Sequence, residues 1–436
     1  MLDIKFIQKN KEEVKKAVKV KGIDLDVDEL LEVYKKRNQL LVQIEQLRKK
    51  RNELSKKAGQ TSSKEDFLKY REENRRIKEE LKKLEEKYRK VEKEYQEKML
   101  LVPNIPSQDT PIGKDPSDNK VVSFWGKVPQ FKFSPKSHIE LGEKLDLIDF
   151  RRGVRTSGFR GYYLKNEAVL MQIGLMWFAL KKLEKKGYKL FIPPVLVKEF
   201  ALIGSGHFPF GKEDIFQIAN PEEIKSEQNL EENSLFLAGT SEPSLLAYFA
   251  NEVLDEKDLP VKVCGFSPCY RSEVGSYGKD AKGLYRLHEF MKVEQVVLCK
   301  NDLKESNKYL EEIRENAEEI LKDLKLPYRV VQVCTGDMGA GKIKMYDIET
   351  WMPSRNEYSE THSASNLGDW QARRLNIKYK TKTGEKKYVH TLNNTAIASP
   401  RILIPILEIY QQKNGEVKVP KVLRPFLRKK IIKPKE

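Results

Sequence analysis

Between residues 27 and 99 the chain has almost no glycine or proline outside Ala58-Gly59-Gln60-Thr61-Ser62-Ser63. A stretch that long without a breaker predicts two long helices joined by a turn at that break. In its second half, seam positions recur at alternating steps of three and four: Phe67, Tyr70, Asn74, Ile77, Leu81, Leu84, Tyr88, Val91 and Tyr95. That is a heptad repeat held over about four heptads. The first half offers Leu30, Val33, Leu40, Ile44, Leu47 and Leu54 to meet it, with Arg37 and Arg51 interrupting. Asn74 is a candidate for fixing the register. The result is an N-terminal antiparallel helical coiled-coil arm roughly 45–55 Å long. Its core is one layer thick, so it cannot enclose a catalytic site.

The arm's charge is uneven. Arg48, Lys49, Lys50, Arg51, Lys56, Lys57 and Lys64 gather near the turn, with only Glu45, Glu53 and Glu65 close by. Such a run fits either a solvated helix face or contact with a phosphate backbone, where each neutralised phosphate steepens salt dependence by about 0.9 for a duplex. After the arm, residues 101–120 hold four prolines among Asp, Ser and Asn, a linker composition. The expected domains are therefore a helical unit at 1–102, a linker at 103–124 and a body at 125–436. In the body helices and strands alternate irregularly, which indicates α+β with a mainly antiparallel sheet flanked by helices.

The densest chemistry lies between Cys269 and Cys299. A strand from Val261 to Glu273 enters a Gly/Ser/Lys loop and returns as a strand from Leu284 to Leu298. On the return strand Arg286, His288, Phe290, Lys292 and Glu294 share one face, and Arg271 and Glu273 share a face on the incoming strand. Guanidinium forks match phosphate or carboxylate, a phenyl ring stacks on a base, and carboxylates take an amine or hydroxyl. A surface hairpin with cross-strand ion pairs fits the residue types equally well.

The ordered pattern Y-R-S-E, Gly-rich loop, G-L-Y-R-L-H-E-F-M-K-V-E resembles motif 2 of class II aminoacyl-tRNA synthetases in its seryl-tRNA synthetase form. Further segments carry the same resemblance. Helix 166–185, strand 187–197 and Pro193-Pro194 are similar to motif 1, which in the family forms a homodimer interface. Thr240-Ser241-Glu242 after an apolar strand resembles the loop that grips the amino acid's ammonium group, although the same residues suit a helix N-cap. Glu357 to Asn366 followed by Gln371-Ala372-Arg373-Arg374 resembles the family's E-x-x-S strand, which implies Glu360 and Ser363 as ligands of Mg2+. Pro400-Arg401 opening an apolar helix resembles motif 3, with Arg401 in the first turn and Asn394 standing where glycine is commoner, in a turn for which asparagine tolerates a left-handed backbone. Val333 to Ile343 imitates a phosphate loop, but Ile343 follows Lys342 where Ser or Thr must hold magnesium, so a structural bend is expected.

The resemblance implies ATP-dependent activation of L-serine and transfer to tRNA(Ser), with tRNA(Sec) as a further acceptor. It assigns Thr240, Ser241, Glu242, Arg271, Glu294 and Thr395 to serine. It assigns Arg271, Ser272, Glu273, Arg286, Leu287, Phe290, Glu360, Thr361, His362, Ser363 and Arg401 to ATP, with Arg271 and Arg401 as the catalytic pair. The formal net charge of +17 over 436 residues agrees with a polyanionic partner, as well as with a thermostable Lys/Glu surface. No signal peptide or membrane span is visible. Cys264, Cys269, Cys299 and Cys334 lack metal-site spacing, so buried thiols in the cytoplasm are expected. Three rival readings compete with this one: a class II paralogue that ignores tRNA, an RNA-binding coiled-coil adaptor, and a synthetase for threonine or proline. The basic arm opposes the first, the clustered Arg and Glu residues oppose the second, and the N-terminal hairpin opposes the third.

Overall fold

A computed structural model describes residues 1–219, 234–274 and 282–434. The chain divides into two compact units, Met1–Pro103 and Asn104–Glu436.

In the first unit, helices α1 (Val27–Gln60) and α2 (Lys64–Leu101) form the antiparallel hairpin. Asp26 caps α1 and Ser63 caps α2 with side-chain oxygens, so the turn 61–63 is closed by local chemistry. Ile44, Leu54, Ile77 and Leu81 are buried between the helices, while Phe67 at the tip is 41% exposed. Arg37, which breaks the seam, reaches Glu92 at 2.5 Å and lies over the rings of Tyr88 and Tyr95. Asn74 donates to Ser55 Oγ at 3.1 Å. The polar seam residues are thus paired across the interface, which penalises a slipped register.

The second unit is built on an eight-stranded sheet. Its strands are β1 (Lys120–Trp125), β2 (Lys189–Phe191), β3 (Val261–Tyr270), β4 (Glu289–Cys299), β5 (Tyr328–Gln332), β6 (Lys344–Met352), β7 (Glu357–Asn366) and β8 (His390–Ser399). They lie in the order β1-β5-β6-β7-β8-β4-β3-β2, antiparallel except for the parallel edge pair β3–β2. Helices α3 (His138–Lys144), α4 (Glu167–Lys185), α5 (Glu199–Ser205), α6 (Glu242–Ala247), α7 (Leu303–Asp323) and α8 (Leu403–Ile409) surround it. The main core forms where Met171 and Leu175 of α4, Leu310, Ile313 and Ile320 of α7 and Leu403 and Leu407 of α8 meet Val293, Val297, Leu392 and Ile397. The burial of these apolar residues holds the sheet's other face open for polar side chains.

Four expectations change. The incoming strand of the hairpin ends at Tyr270, so Arg271 and Glu273, expected to share a face on it, follow β3 in irregular backbone where Glu273 takes a φ of 51°. The segment read as a linker is part of the body. Asn104 N donates to Ala340 O, Thr335 N to Pro111 O and Gly336 N to Gly113 O, and β1 pairs with β5. Its prolines mark an extended path pinned by backbone hydrogen bonds. The return strand of the hairpin begins at Glu289, five residues later than expected. Residues 284–288 form an irregular wall instead, with Leu284 N donating to His138 Nε2 at 3.2 Å. Asn394 occupies no left-handed turn: it lies within β8 and its buried amide donates to Ile313 O of α7 at 2.5 Å. The loop 275–281 lies outside the described residues.

Candidate active site

β4, β7 and β8, with Arg271 and Glu273 from the segment that follows β3, contribute side chains to two adjoining cavities on the open face. The first is lined by Arg271, Glu273, Leu287, Phe290, Glu360, Thr361 and Arg401, with Tyr285 and Pro400. The second, about 240 Å³, is lined by Thr240, Glu242, Lys292, Glu294, Ser363 and Thr395. Arg271, Lys292, Glu360 and Thr395 border both. Residues from four distant segments therefore converge, as the hairpin pattern requires.

In the first cavity the cations are held by aromatic rings. Arg271 lies 5.3 Å over Phe290 and donates through Nε to Gly239 O at 3.3 Å. Arg401 and Arg355 both sit on Tyr285, at 4.5 and 4.4 Å. Arg401 Nε also donates to Tyr285 O, and Nη1 to Glu360 O. These contacts fix two guanidiniums against rigid walls, each retaining donors for an anion. Arg401 precedes α8 rather than lying in its first turn.

The second cavity is built around buried carboxylates. Lys292 and Glu294, two apart on β4, pair at 2.7 Å, and Thr395 Oγ1 donates to Glu294 at 3.2 Å. Asn393 donates to Glu242 and to Glu294, at 3.1 and 3.3 Å, and Gln371 donates to Glu242 at 2.7 Å. Burial pushes the Glu242 carboxyl up to about 7 despite the Gln371 bond, with the Glu294 charge adding to the rise. A buried carboxylate in that state favours a cationic ligand.

Glu360 and Ser363 are three residues apart, a spacing that would put them on opposite faces of a regular strand. The register of β6 and β7 shifts between Ile348 and Glu349, so Thr361 is skipped and both residues reach the open face. Ser363 pairs across the ladder with Asp347. Asp347 is buried, its Oδ1 has no hydrogen-bond partner, and burial together with Glu360 holds its carboxyl well above the usual range. Two acids and a hydroxyl, one oxygen orphaned, form an oxygen donor set suited to a hard divalent cation.

Four expected residues line neither cavity. Ser241 Oγ pairs with Ser267 Oγ and caps nothing, although α6 starts beside it. Ser272 Oγ donates to Glu213 O. Arg286 pairs with Glu273 at 3.0 Å. His362 is buried with Nδ1 on Thr361, and burial pushes its imidazole down to about 3. Sequence reasoning missed Asp347, Asn393, Gln371, Lys342 and His207, and gave Lys292 no role. The alternation of β4 marked Lys292, and Gln371 and Lys342 stood inside recognised motifs without a role of their own; nothing local marked Asp347, Asn393 or His207. Gly339 to Lys342 wall the second cavity and lead into a strand, not the helix a phosphate loop needs.

An antiparallel sheet carrying arginines, acids and an aromatic ring at these stations defines the core of a class II aminoacyl-tRNA synthetase. Residues 224–410 match the tRNA synthetase class II core domain (G, H, P, S and T), and residues 1–106 match the seryl-tRNA synthetase N-terminal domain. The chain is 44% identical to a serine–tRNA ligase of Deinococcus radiodurans, covering 98% of this chain and 97% of that one. It is 41% identical to that of Dictyoglomus thermophilum, over the whole of both. The seryl-tRNA synthetase of Pyrococcus horikoshii, solved in complex with ATP, superposes with a TM-score of 0.87 at 39% identity, each chain fully covered. The chain belongs to the seryl-tRNA synthetase family.

Proposed function

We propose that this chain activates L-serine with ATP to seryl-adenylate and transfers the seryl group to tRNA(Ser). The observation that carries the reading is Arg271, placed where a nucleotide-shaped wall meets a small cavity of buried carboxylates. There its guanidinium touches both the α-phosphate and the serine carboxylate, neutralising the charge that repels attack. Thr240 and Glu242 hold the ammonium group. Glu294 and Thr395 read the hydroxyl, with Asn393 fixing both acids. Phe290 stacks on adenine, and Arg401 holds the outer phosphates. Arg286 reaches those phosphates only by leaving Glu273. No side-chain nucleophile is required; catalysis is positioning and charge neutralisation.

Asp347, Glu360 and Ser363 would hold Mg2+, which would supply charge neutralisation for the ATP phosphates. The arm reads the shape and backbone of the tRNA, which extends to tRNA(Sec) if that arm is similarly long. No helix among the described residues is long and apolar enough to cross a membrane. The four cysteines are buried free thiols, which agrees with a cytoplasmic enzyme.

The deciding experiment is ATP–pyrophosphate exchange with each of twenty amino acids. Serine should give the only strong signal. Alanine should fall roughly 10⁴-fold short, because a site built to bond a hydroxyl is left unpaired. Threonine as the best substrate would overturn the reading.

The enzyme acts as a homodimer. Val169, Leu170, Ile173 and Trp177 of α4 are exposed, as are Leu190 and Ile192, the last at 83%. An apolar patch of that kind marks an interface. Ile173→Asp with Trp177→Glu should halve the mass measured by light scattering. An unchanged mass would mean that this face is not the interface, and a monomeric parent would rule out the dimer.

A further inference from the structure

A third cavity adjoins the two already described. It has about 310 Å³ and is lined by Gly206, His207, Phe210, Gly211, Asp214, Ile215, Gly239 and Arg271, a volume in the range of small-ligand sites. Gly206, His207 and Arg271 also border the carboxylate cavity. Arg271 is thus a common corner of three cavities, while the proposed reaction has three substrates.

His207 stands at the passage between the second and third. Ser205 Oγ lies 2.9 Å from His207 Nδ1 and 3.2 Å from Leu202 O. The hydroxyl has one hydrogen, and the carbonyl can only accept it. Ser205 therefore accepts from His207, so Nδ1 carries the proton and Nε2 is a bare acceptor. Burial, reinforced by the positive charges of Arg271, Lys292 and Lys342, pushes the imidazole down to about 3, so it stays neutral. Nothing in the activation step uses this residue. The third cavity's other walls suit a nucleoside. Phe210 and Ile215 offer apolar surface to a base, and the Asp214 carboxylate can accept from an amine or hydroxyl. Glycine at 239 keeps the passage clear: a Cβ there would come within 3.3 Å of Arg271 Cγ.

We propose that this third cavity receives the terminal adenosine of the tRNA acceptor strand, and that His207 Nε2 accepts a hydrogen bond from the ribose hydroxyl adjacent to the attacking one. The proposal rests on the serine-activation reading and adds the site of the second step. The attacking hydroxyl oxygen forms an ester bond to the seryl carbonyl carbon. The bond from that carbon to the phosphate oxygen breaks, its electron pair leaves on AMP, and the hydroxyl proton departs with the AMP phosphate. His207 takes no proton; it orients the ribose so that a lone pair of the attacking hydroxyl faces the carbonyl beside Arg271 and its hydrogen stays free for the phosphate.

The test separates the two steps. Enzyme carrying preformed seryl-adenylate is mixed with tRNA and single-turnover transfer is timed, beside ATP–pyrophosphate exchange with serine. His207→Ala should slow transfer about 10²-fold and exchange at least tenfold less than that. His207→Gln, whose amide oxygen can take the place of Nε2, should recover much of the loss, and His207→Asn should not. Phe210→Ala should raise the tRNA concentration for half-maximal transfer by about 5- to 100-fold, the worth of one stacked base. Equal losses in both steps for His207→Ala, or normal transfer by both His207→Ala and Phe210→Ala, would overturn the proposal. A parent enzyme inert toward serine in the exchange assay would overturn the activation reading instead.

Discussion

Arg271→Ala should reduce kcat/KM for serine-dependent pyrophosphate exchange by about 10³-fold or more, the range seen when a transition-state guanidinium is removed. The side chain is the shared border of the nucleotide and carboxylate cavities. Its loss removes charge neutralisation where two anions must meet. Arg271→Lys should recover little. The guanidinium lies on the Phe290 ring and donates to Gly239 O through Nε, a planar arrangement that a point-charge ammonium cannot reproduce. The loss should fall mainly on kcat, because the interaction strengthens as negative charge builds on the α-phosphate. Folding supplies the control: the Arg271 side chain contributes to neither the main core cluster nor the sheet ladder, so thermal unfolding should shift by only a few degrees. Exchange within about tenfold of the parent would remove Arg271 from the mechanism.

Much of this site was legible because its residues follow the period of their strands. Lys292 and Glu294 share a face by alternation, and that alone brings the ion pair into the cavity. Glu360 and Ser363 were not legible from spacing, since three residues separate opposite faces; family likeness supplied them, and the skipped Thr361 supplies the physical reason. Asp347, Asn393 and Gln371 escaped because each acts through a cross-strand or interhelical partner that no local pattern encodes. His207 escaped for the same reason, since its tautomer depends on Ser205 and its place on a cavity wall. Errors of fold had a different origin. Prolines between Pro103 and Pro116 suit a free linker and a pinned extended chain alike, and only the partners at 334–343 distinguish them. The start of β4 was misplaced because residues 284–288 alternate like a strand, while a distant histidine draws their backbone away from the ladder.

Removing residues 43–86 and closing the arm with a short Gly-Ser turn should abolish tRNA charging while leaving serine activation intact. The cut follows the hairpin's own pairing. Arg37 meets Glu92 and Ser55 meets Asn74, so residues whose numbers sum to about 129 face each other. The deletion takes out Ile44, Leu54, Ile77 and Leu81 together and exposes no orphaned half of that cluster. The stump keeps Leu30, Val33, Val91 and Tyr95 buried, and the polar pair Arg37–Glu92 still sets its register. Lys49, Arg51, Lys56, Lys57 and Lys64 are exposed and leave with the tip, as do Arg71, Arg75 and Lys78, which with Arg51 line a groove beside Asn74. Arg48 and Lys50 also go, though each already has a glutamate partner. If these cations neutralise RNA phosphates, kcat/KM for tRNA should fall by about 10³-fold, and the steep rise of KM with salt should flatten by about 0.9 for each phosphate left without its cation. Pyrophosphate exchange should stay within about twofold of the parent, because the active site lies wholly within residues 104–436 and the deletion removes none of its residues. A shortened enzyme that charges tRNA at the parent rate, with the same salt slope, would show that the basic tip is a solvated surface and that the acceptor is recognised by the body alone.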